Sequence, residues 1–416
     1  MSVQANLRPT HNEKNLGAMK AERTVKRITF NKSEASPEET LYVSVPKLNE
    51  NEVLVPGSLA LLFNIDLAGG EANNFLVQNV TRALVDKLVV KYAGTVLQET
   101  VGYDIFKIYE DLYLSQEERD NMLLEGIQTE VLCKIRSNSG DKKTSGVAAE
   151  EALNDIYGTK YRISLDHQIL TDHGVFYPQA LFNDLVFELT LAAADHVVKG
   201  SDPDKLEYKL KNIQLEYEMI RSKTLAEEAR SVYSSGKEFL YDHVLRDQIY
   251  TFSKATDTRI NIRVNPQRRS MKGILLLFME QYTKGARDSE KYIFPDLTKV
   301  SVTVNGSPNM VYNNGIEGKD IWGEVNRFFG KKRNKTQHMN LTKFYTENKF
   351  ALLIDLRSMA SHEMHGSGTR LVNTKDGIQL ELERNGKGSG SVKCHVYVIS
   401  DSQMNIMGQQ LESVQY

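Results

Sequence analysis

The chain has 416 residues, with 52 basic against 54 acidic side chains and a formal net charge of −2. Hydrophobic residues make up 40% and charged residues 25%, the balance of a folded protein of two or three domains with a core large enough to need no staples. Those figures exclude wholesale disorder, collagen and a disulfide scaffold, and the near-zero charge argues against a dedicated nucleic-acid binder, whose domains are strongly basic.

Residues 1–26 show no hydrophobic period. Across residues 1–32, seven basic side chains stand against Glu13 and Glu22, a net of +5, so a mobile basic N-terminal arm is expected over 1–26. The opening stretch has no apolar centre and is not read as a secretory signal. From residue 39 short strands begin. Thr40–Val45 alternates with period two, and Leu54–Leu67 is an apolar run punctuated by Pro56 and Gly57. Leu84–Thr100 reads as a hairpin around Ala93-Gly94. Asp104–Leu124 reads as a helix, with Ile105, Ile108 and Leu112 on one stripe. Residues 127–160 are polar, with a short helix predicted at Val147–Ile156. Strands resume at Tyr161–Leu165, Leu185–Leu191, Leu206–Leu210 and Ile213–Ile220. Residues 222–235 read as a helix, with Ser222 as N-cap and Gly236 after it. Further strands are expected at Arg259–Val264, Gly273–Met279, Lys299–Val304, Ala351–Leu356, Ile378–Glu383 and Val392–Ile399.

The second half repeats the order of the first. Thr40–Val45 corresponds to Thr258–Val264, Gly57–Ile65 to Gly273–Glu280, Val89–Gly94 to Val302–Gly306, and the helix Asp104–Leu112 to Asp320–Phe328. Leu185–Leu191 is matched with Ala351–Arg357, and the closing pair of strands before residue 221 with the pair before residue 400. A period this long is a whole β domain rather than a solenoid repeat. Strands without interleaved helices disfavour a parallel α/β sheet, and eight antiparallel strands in two packed sheets make a jelly roll. The fold expected is all-β, a tandem double jelly roll with short inserted helices.

No residue is assigned a catalytic, cofactor-binding or metal role. His362, Glu363 and His365 are spaced by three, not the four a zincin helix needs, and read as an exposed loop. Asp166-His167 and Asp172-His173 read as the polar side of a strand–turn–strand, since no nucleophile or oxyanion site accompanies them. Gly386–Ser391 and Gly366–Thr369 read as loops, lacking the order of a phosphate cradle. Lys331-Lys332-Arg333-Asn334-Lys335 is the densest basic run and reads as a solvated loop, with nuclear import or a subunit contact as the functional alternative; Arg268-Arg269 is shorter. Trp322, Phe328 and Phe329 sit at helical spacing, for core packing or burial between subunits. Ala68-Gly69-Gly70 reads as a turn. Cys133 and Cys394 show no metal spacing, no run reaches the length of a membrane span, and the Asn-X-Ser/Thr triplets at Asn31, Asn79, Asn305, Asn334 and Asn340 read as chance.

Six segments carry a family likeness. They are Val55–Leu67, Val101–Met122, Lys160–Leu191, Arg268–Phe278, Pro295–Asn309 and Ser400–Tyr416. With the tandem arrangement, they resemble the double jelly-roll major capsid proteins of Polinton/Maverick elements and adintovirus-like viruses, over roughly residues 28–416. The resemblance implies a structural protein and not an enzyme. It implies homotrimers acting as pseudo-hexagonal capsomers, an icosahedral shell around double-stranded DNA, and penton or minor capsid proteins as partners; the charge of the basic arm suits a non-specific, salt-dependent contact with packaged DNA. It implies residence in the virion after assembly in the host nucleus or cytoplasm, without secretion. The domains expected are the arm at 1–26, a first jelly roll at 27–221, a linker helix at 222–236 and a second jelly roll at 237–416. The long insertion between Asp104 and Phe176 is a candidate tower or intersubunit element. The competing reading is an enzyme or ligand-binding protein built on paired β-sandwiches, which would need convergent polar residues in a cleft.

Overall fold

The alternation that begins near residue 40 is realised as strands. The computed structural model describes residues 21–67, 74–137, 148–309, 312–330, 338–357, 368–372, 376–408 and 410–416. Its first half carries β1 (Glu22–Thr29), β2 (Thr40–Ser44), β3 (Ala60–Asp66), β4 (Val85–Tyr92), β5 (Thr95–Val101), β6 (Lys160–Ser164), β7 (Leu185–Leu191) and β8 (Lys209–Arg221). The second carries β9 (Lys237–Ser253), β10 (Arg259–Val264), β11 (Met271–Glu280), β12 (Leu297–Val304), β13 (Ser307–Pro308), β14 (Ala351–Asp355), β15 (Ile378–Arg384) and β16 (Ser391–Met407), before a closing β17 (Gln410–Gln415). The helices that matter below are α1 (Tyr103–Asp111), α2 (Gln116–Asp120), α3 (Glu130–Ile135), α4 (Ala148–Tyr157), α5 (Gln168–Thr171), α6 (Lys223–Ser235), α7 (Ile321–Phe329) and α8 (Leu341–Thr346).

In the first half one sheet runs β1-β8-β3-β6 and the other β2-β7-β4-β5. In the second they run β9-β16-β11-β14 and β10-β15-β12-β13. Along these main paths, setting aside the short strands Glu34–Ala35 and Glu52–Leu54 that also pair with β8, Ile316–Glu317 that pairs with β12, and β17 that pairs with β16, adding eight to each label turns the first pair of orders into the second. Every one of these pairings is antiparallel. Two four-stranded orders of this kind, packed face to face, are a jelly roll, and the chain holds two. Period-two burial makes the packing possible: β7 turns Leu185, Phe187, Leu189 and Leu191 inward and its polar residues outward. The β4–β5 turn has both central residues at positive φ, Ala93 at 52° and Gly94 at 77°, as a two-residue hairpin demands.

The structure corrects the sequence reading in five places. Residues 22–26 belong to β1, not to a free arm, because Arg23 and Arg27 pair with Glu218 and Glu216 across the ladder to β8; residues 1–20 lie outside the described residues. The strands read at Leu206–Leu210 and Ile213–Ile220 are replaced by one strand, β8, beginning at Lys209 and carrying an irregularity beside Asn212, whose φ of 54° takes up the extra residue. The helix read across Asp104–Leu124 is two helices, because Ser115 and Glu118 form a capping box that starts α2. The 17-residue β9 was not anticipated, its alternation being broken by a register shift between Arg246 and Gln248. Leu185–Leu191 corresponds by sheet position to β15, not to Ala351–Arg357, whose strand β14 is the counterpart of β6. The helix α6 runs as read, with the Ser222 side chain accepting from the Leu225 amide.

The two cores are interlocked. The first takes in Phe239, Tyr241, Met404 and Ile406 from the second half. The second takes in Ile105, Phe106, Ile108, Tyr109, Leu112 and Tyr113 from the first. Strands β9 and β16, each 17 residues long, run past both.

Candidate functional site

The seam between the sandwiches is built on α1. Its apolar stripe, Ile105, Ile108 and Leu112, points into the second core rather than its own. The span from Asp104 to Phe176 is therefore not a single projecting tower: α1 is a buried wedge and β6 lies within the span. Gly102, at φ 65°, starts the helix where a Cβ would strike the Arg246 and Tyr397 side chains.

Ion pairs cross this seam. Arg287 Nη2 lies 2.6 Å from Asp104 Oδ2, and Arg119 Nη2 lies 2.7 Å from Glu290 Oε1, with Lys349 Nζ 3.3 Å from Glu290 Oε2. Burial opposes ionisation of Glu290, but Arg119 and Lys349 outweigh it and hold the carboxyl below its ordinary range. Tyrosine hydroxyls add donors: Tyr292 to Ile105 O (2.8 Å), Tyr397 to Gly102 O (2.7 Å) and Tyr241 to Leu97 O (2.9 Å). With so many buried polar groups matched across the contact, the two sandwiches form one unit.

Beside α1 a cleft of about 450 Å³ opens, lined in part by Arg82, Tyr103, Lys107, Asp166 and His167. Asp166 Oδ2 lies 2.9 Å from Arg82 Nη2 and 3.3 Å from Lys107 Nζ. Burial would raise this carboxyl, but the two cations win and hold it far below its ordinary range. Asp166 and His167, neighbours in sequence, bond different partners. The His167 ring bonds Gln98 Oε1 through Nε2 (3.0 Å) and accepts the Ile169 amide at Nδ1, capping α5. His173 Nε2 donates to Leu240 O (2.7 Å), another seam contact.

Gly386–Ser391 joins β15 to β16 through two left-handed glycines, Gly388 and Gly390, and no helix follows it. Arg268 lies over the Tyr416 ring (5.7 Å) and Arg269 Nη1 donates to Gln415 Oε1 (2.6 Å), so this pair fastens the C-terminal strand. Trp322 packs on Phe344 of α8 and stacks on Tyr113, while Phe329 meets Tyr109 and Tyr113. Trp322 and Phe329 are thus half-buried, packed on the buried Tyr109, Tyr113 and Phe344 between the halves of one chain. Phe328 takes the Arg357 guanidinium on its face at 4.5 Å. Lys331–Lys335, His362, Glu363, His365, Gly366 and Ala68-Gly69-Gly70 lie outside the described residues. Asn79 is fully buried, and so are both cysteines; burial pushes the Cys133 thiol up to about 12. Among the described residues no group of three His, Cys, Asp or Glu is placed to hold a metal, and no helix is long and apolar enough to cross a membrane.

The outer surface carries single large apolar side chains. Ile156 on α4 is 74% exposed, Phe182 before β7 is 72% exposed and Tyr42 on the edge strand β2 is 58% exposed. Neither these nor the seam pairs were singled out from the sequence. Asp104 and Arg287 are 183 positions apart, and no local spacing links them.

No protein-family model matches the sequence, and no curated protein does. Solved structures do match in fold. A model of the PBCV-1 virus capsid is 10% identical, with 94% of this chain and 97% of that one covered and a TM-score of 0.58. The faustovirus major capsid protein is 8% identical, with 94% and 91% covered and a TM-score of 0.58. The mavirus major capsid protein is 10% identical, with 94% and 90% covered and a TM-score of 0.50. The likeness runs through both halves and is one of fold: a tandem double jelly roll.

Proposed function

We propose that this chain is the major capsid protein of a Polinton-like or adintovirus-like element, a structural subunit whose work is assembly and not catalysis. One observation carries the reading: a single chain holds two jelly rolls of identical strand order, locked through a buried seam, in the fold that known viral capsid proteins share. Three copies of such a unit present six similar sandwiches, enough for a pseudo-hexagonal tile, and closed shells are built from tiles of that symmetry. Because the halves differ in sequence, alternate edges of the tile differ too, which six identical domains could not achieve. The near-zero net charge limits repulsion between packed subunits.

In this reading homotrimeric capsomers close an icosahedral shell around double-stranded DNA, with penton and minor capsid proteins completing it. The residues preceding β1 act as the arm that touches packaged DNA, through salt-dependent contacts. The first jelly roll ends at residue 221, the linker helix occupies 222–236 and the second jelly roll fills 237–416. Helices α3 and α4, with Ile156 facing outward, serve as the intersubunit or tower element. The protein resides in the virion after assembly in the host nucleus or cytoplasm, without secretion.

Electron microscopy of the purified, full-length protein, with light scattering after size exclusion, tests this. Trimers, pseudo-hexagonal tiles or closed particles are expected. A strict monomer at micromolar concentration overturns the proposal.

A further inference from the structure

Six histidines are described, and all six lie along the seam. From the first half, His173 bonds Leu240 O, the His196 carbonyl accepts from Arg287 Nη1 (3.1 Å), and the His167 ring sits 5.3 Å from that of Tyr241. From the second, His338 Nδ1 lies 2.7 Å from Gln116 Oε1. His243 packs on Tyr416, whose hydroxyl donates to Val96 O. His395 shares a strand face with Tyr397, which bonds Gly102 O.

Three of these rings accommodate only the neutral form. His167 uses Nε2 as donor to Gln98 and Nδ1 as acceptor for the Ile169 amide, so a second ring proton would face an N–H. The Nδ1 atoms of His243 and His395 are buried and no protein group bonds them. A proton there brings charge into a buried contact that no neighbouring carboxylate or side-chain acceptor meets at hydrogen-bond distance, only the carbonyl of His243 itself helping that ring. The neighbouring charges mostly oppose it. Lys107, His173 and His243 face His167, with Asp166 as counterweight. Arg268 faces His243, beside the neutral Tyr416. Arg246, Lys393 and Arg287 face His395, against Asp104.

We propose that the seam is an acid-operated latch: protonation of His167, His243 and His395 loosens the contact between the two sandwiches before their sheets melt. Burial first, and then Lys107 at His167, Arg268 at His243 and Arg246 at His395, push His167 down to about 3 and His243 and His395 down to about 4. The closed seam is thus fully stable above the ordinary imidazole value of 6.5. It weakens as pH falls from there toward 4, because the opened form binds the protons that the closed form refuses. The latch stands on the seam alone and not on the assembly reading.

Trp322, the chain's single tryptophan, stacks on Tyr113 at the seam and reports its opening by fluorescence. The full-length protein is titrated from pH 7.5 to pH 4, with hydrogen exchange followed in parallel. The Trp322 signal and the amides of α1 and α7 should lose protection at higher pH than those of β3 and β11. In H167N/H243F/H395L the midpoint should fall by about one pH unit. Should that variant not fold, His167→Asn alone, whose side chain can still cap α5, should show a smaller shift of the same sign. Simultaneous loss of protection in seam and sheets overturns the latch, as does an unchanged midpoint in the folded variant.

Discussion

Arg287 Nη2 sits 2.6 Å from Asp104 Oδ2 with both side chains at most 1% exposed, the most deeply buried ion pair among those described. Asp104 also lies in the first turn of α1, where the helix N-terminus favours a negative charge. Removing one partner leaves the other charge stranded. Arg287→Ala should therefore cost about 3–5 kcal/mol in urea unfolding of the purified chain. The double substitution Asp104→Leu with Arg287→Met should recover most of that, because a well-packed apolar pair replaces the desolvated charges. An equal loss in single and double variants would show that the pair does not act as a unit.

The Asp166 carboxyl gives a pH signature distinct from that of the histidines. Its folded value is depressed below the ordinary 3.8 by Arg82 and Lys107, after burial has worked the other way. Its contribution is present above 3.8 and is lost as pH falls below it. Because the side chain is 31% exposed, solvent screens part of the attraction. Asp166→Asn should cost about 1–2 kcal/mol at pH 7 and flatten the fall in stability between pH 4 and pH 2. Denaturation curves across that window, compared with the parent protein, check both.

How much of this was legible beforehand follows from what each feature depends on. Period-two alternation revealed β2, β7, β10 and β15, because each buries one face against a partner sheet. Ala93-Gly94 and Ser222 were legible since turn and cap chemistry is local. Strand β9 was not, because it passes from one core to the other while paired with β16 throughout: Phe239 and Tyr241 enter the first core, while Val244 and Phe252 enter the second. The same cause hid the seam. Ile105 and Ile108 announce an amphipathic helix, but nothing local says that their stripe faces the other sandwich. His243 and His395 likewise look like ordinary strand residues until β9 and β16 are laid beside α1 and the C-terminus.

Tyr109 tests whether the wedge holds the seam by packing. Its ring meets Tyr292 edge-on at 5.1 Å and Phe329 at 5.8 Å, and its hydroxyl bonds that of Tyr113 at 3.1 Å. Tyr109→Ala removes a fully buried aromatic and should cost about 3–5 kcal/mol, while Tyr109→Phe loses only the hydroxyl bond and should cost about 1 kcal/mol. Thermal melts rank the three proteins. If alanine and phenylalanine cost the same, the aromatic cluster contributes little beyond the hydrogen bond.

Phe182 and Ile156 separate folding from assembly. Both are mostly exposed on the single chain, so replacing them with Ser and Asp should leave the melting temperature within about 2 °C of the parent. Within the proposed shell, large apolar side chains this exposed are candidates for burial between subunits, where an aromatic anchor contributes far more than its neighbours. The double variant Phe182→Ser with Ile156→Asp should stay folded yet shift the population from trimers and tiles toward monomer, at a concentration where the parent assembles. Light scattering reads the distribution and circular dichroism confirms the fold. A variant that assembles as well as the parent would remove both side chains from the subunit contacts and leave Tyr42, on the β2 edge, as the next to test.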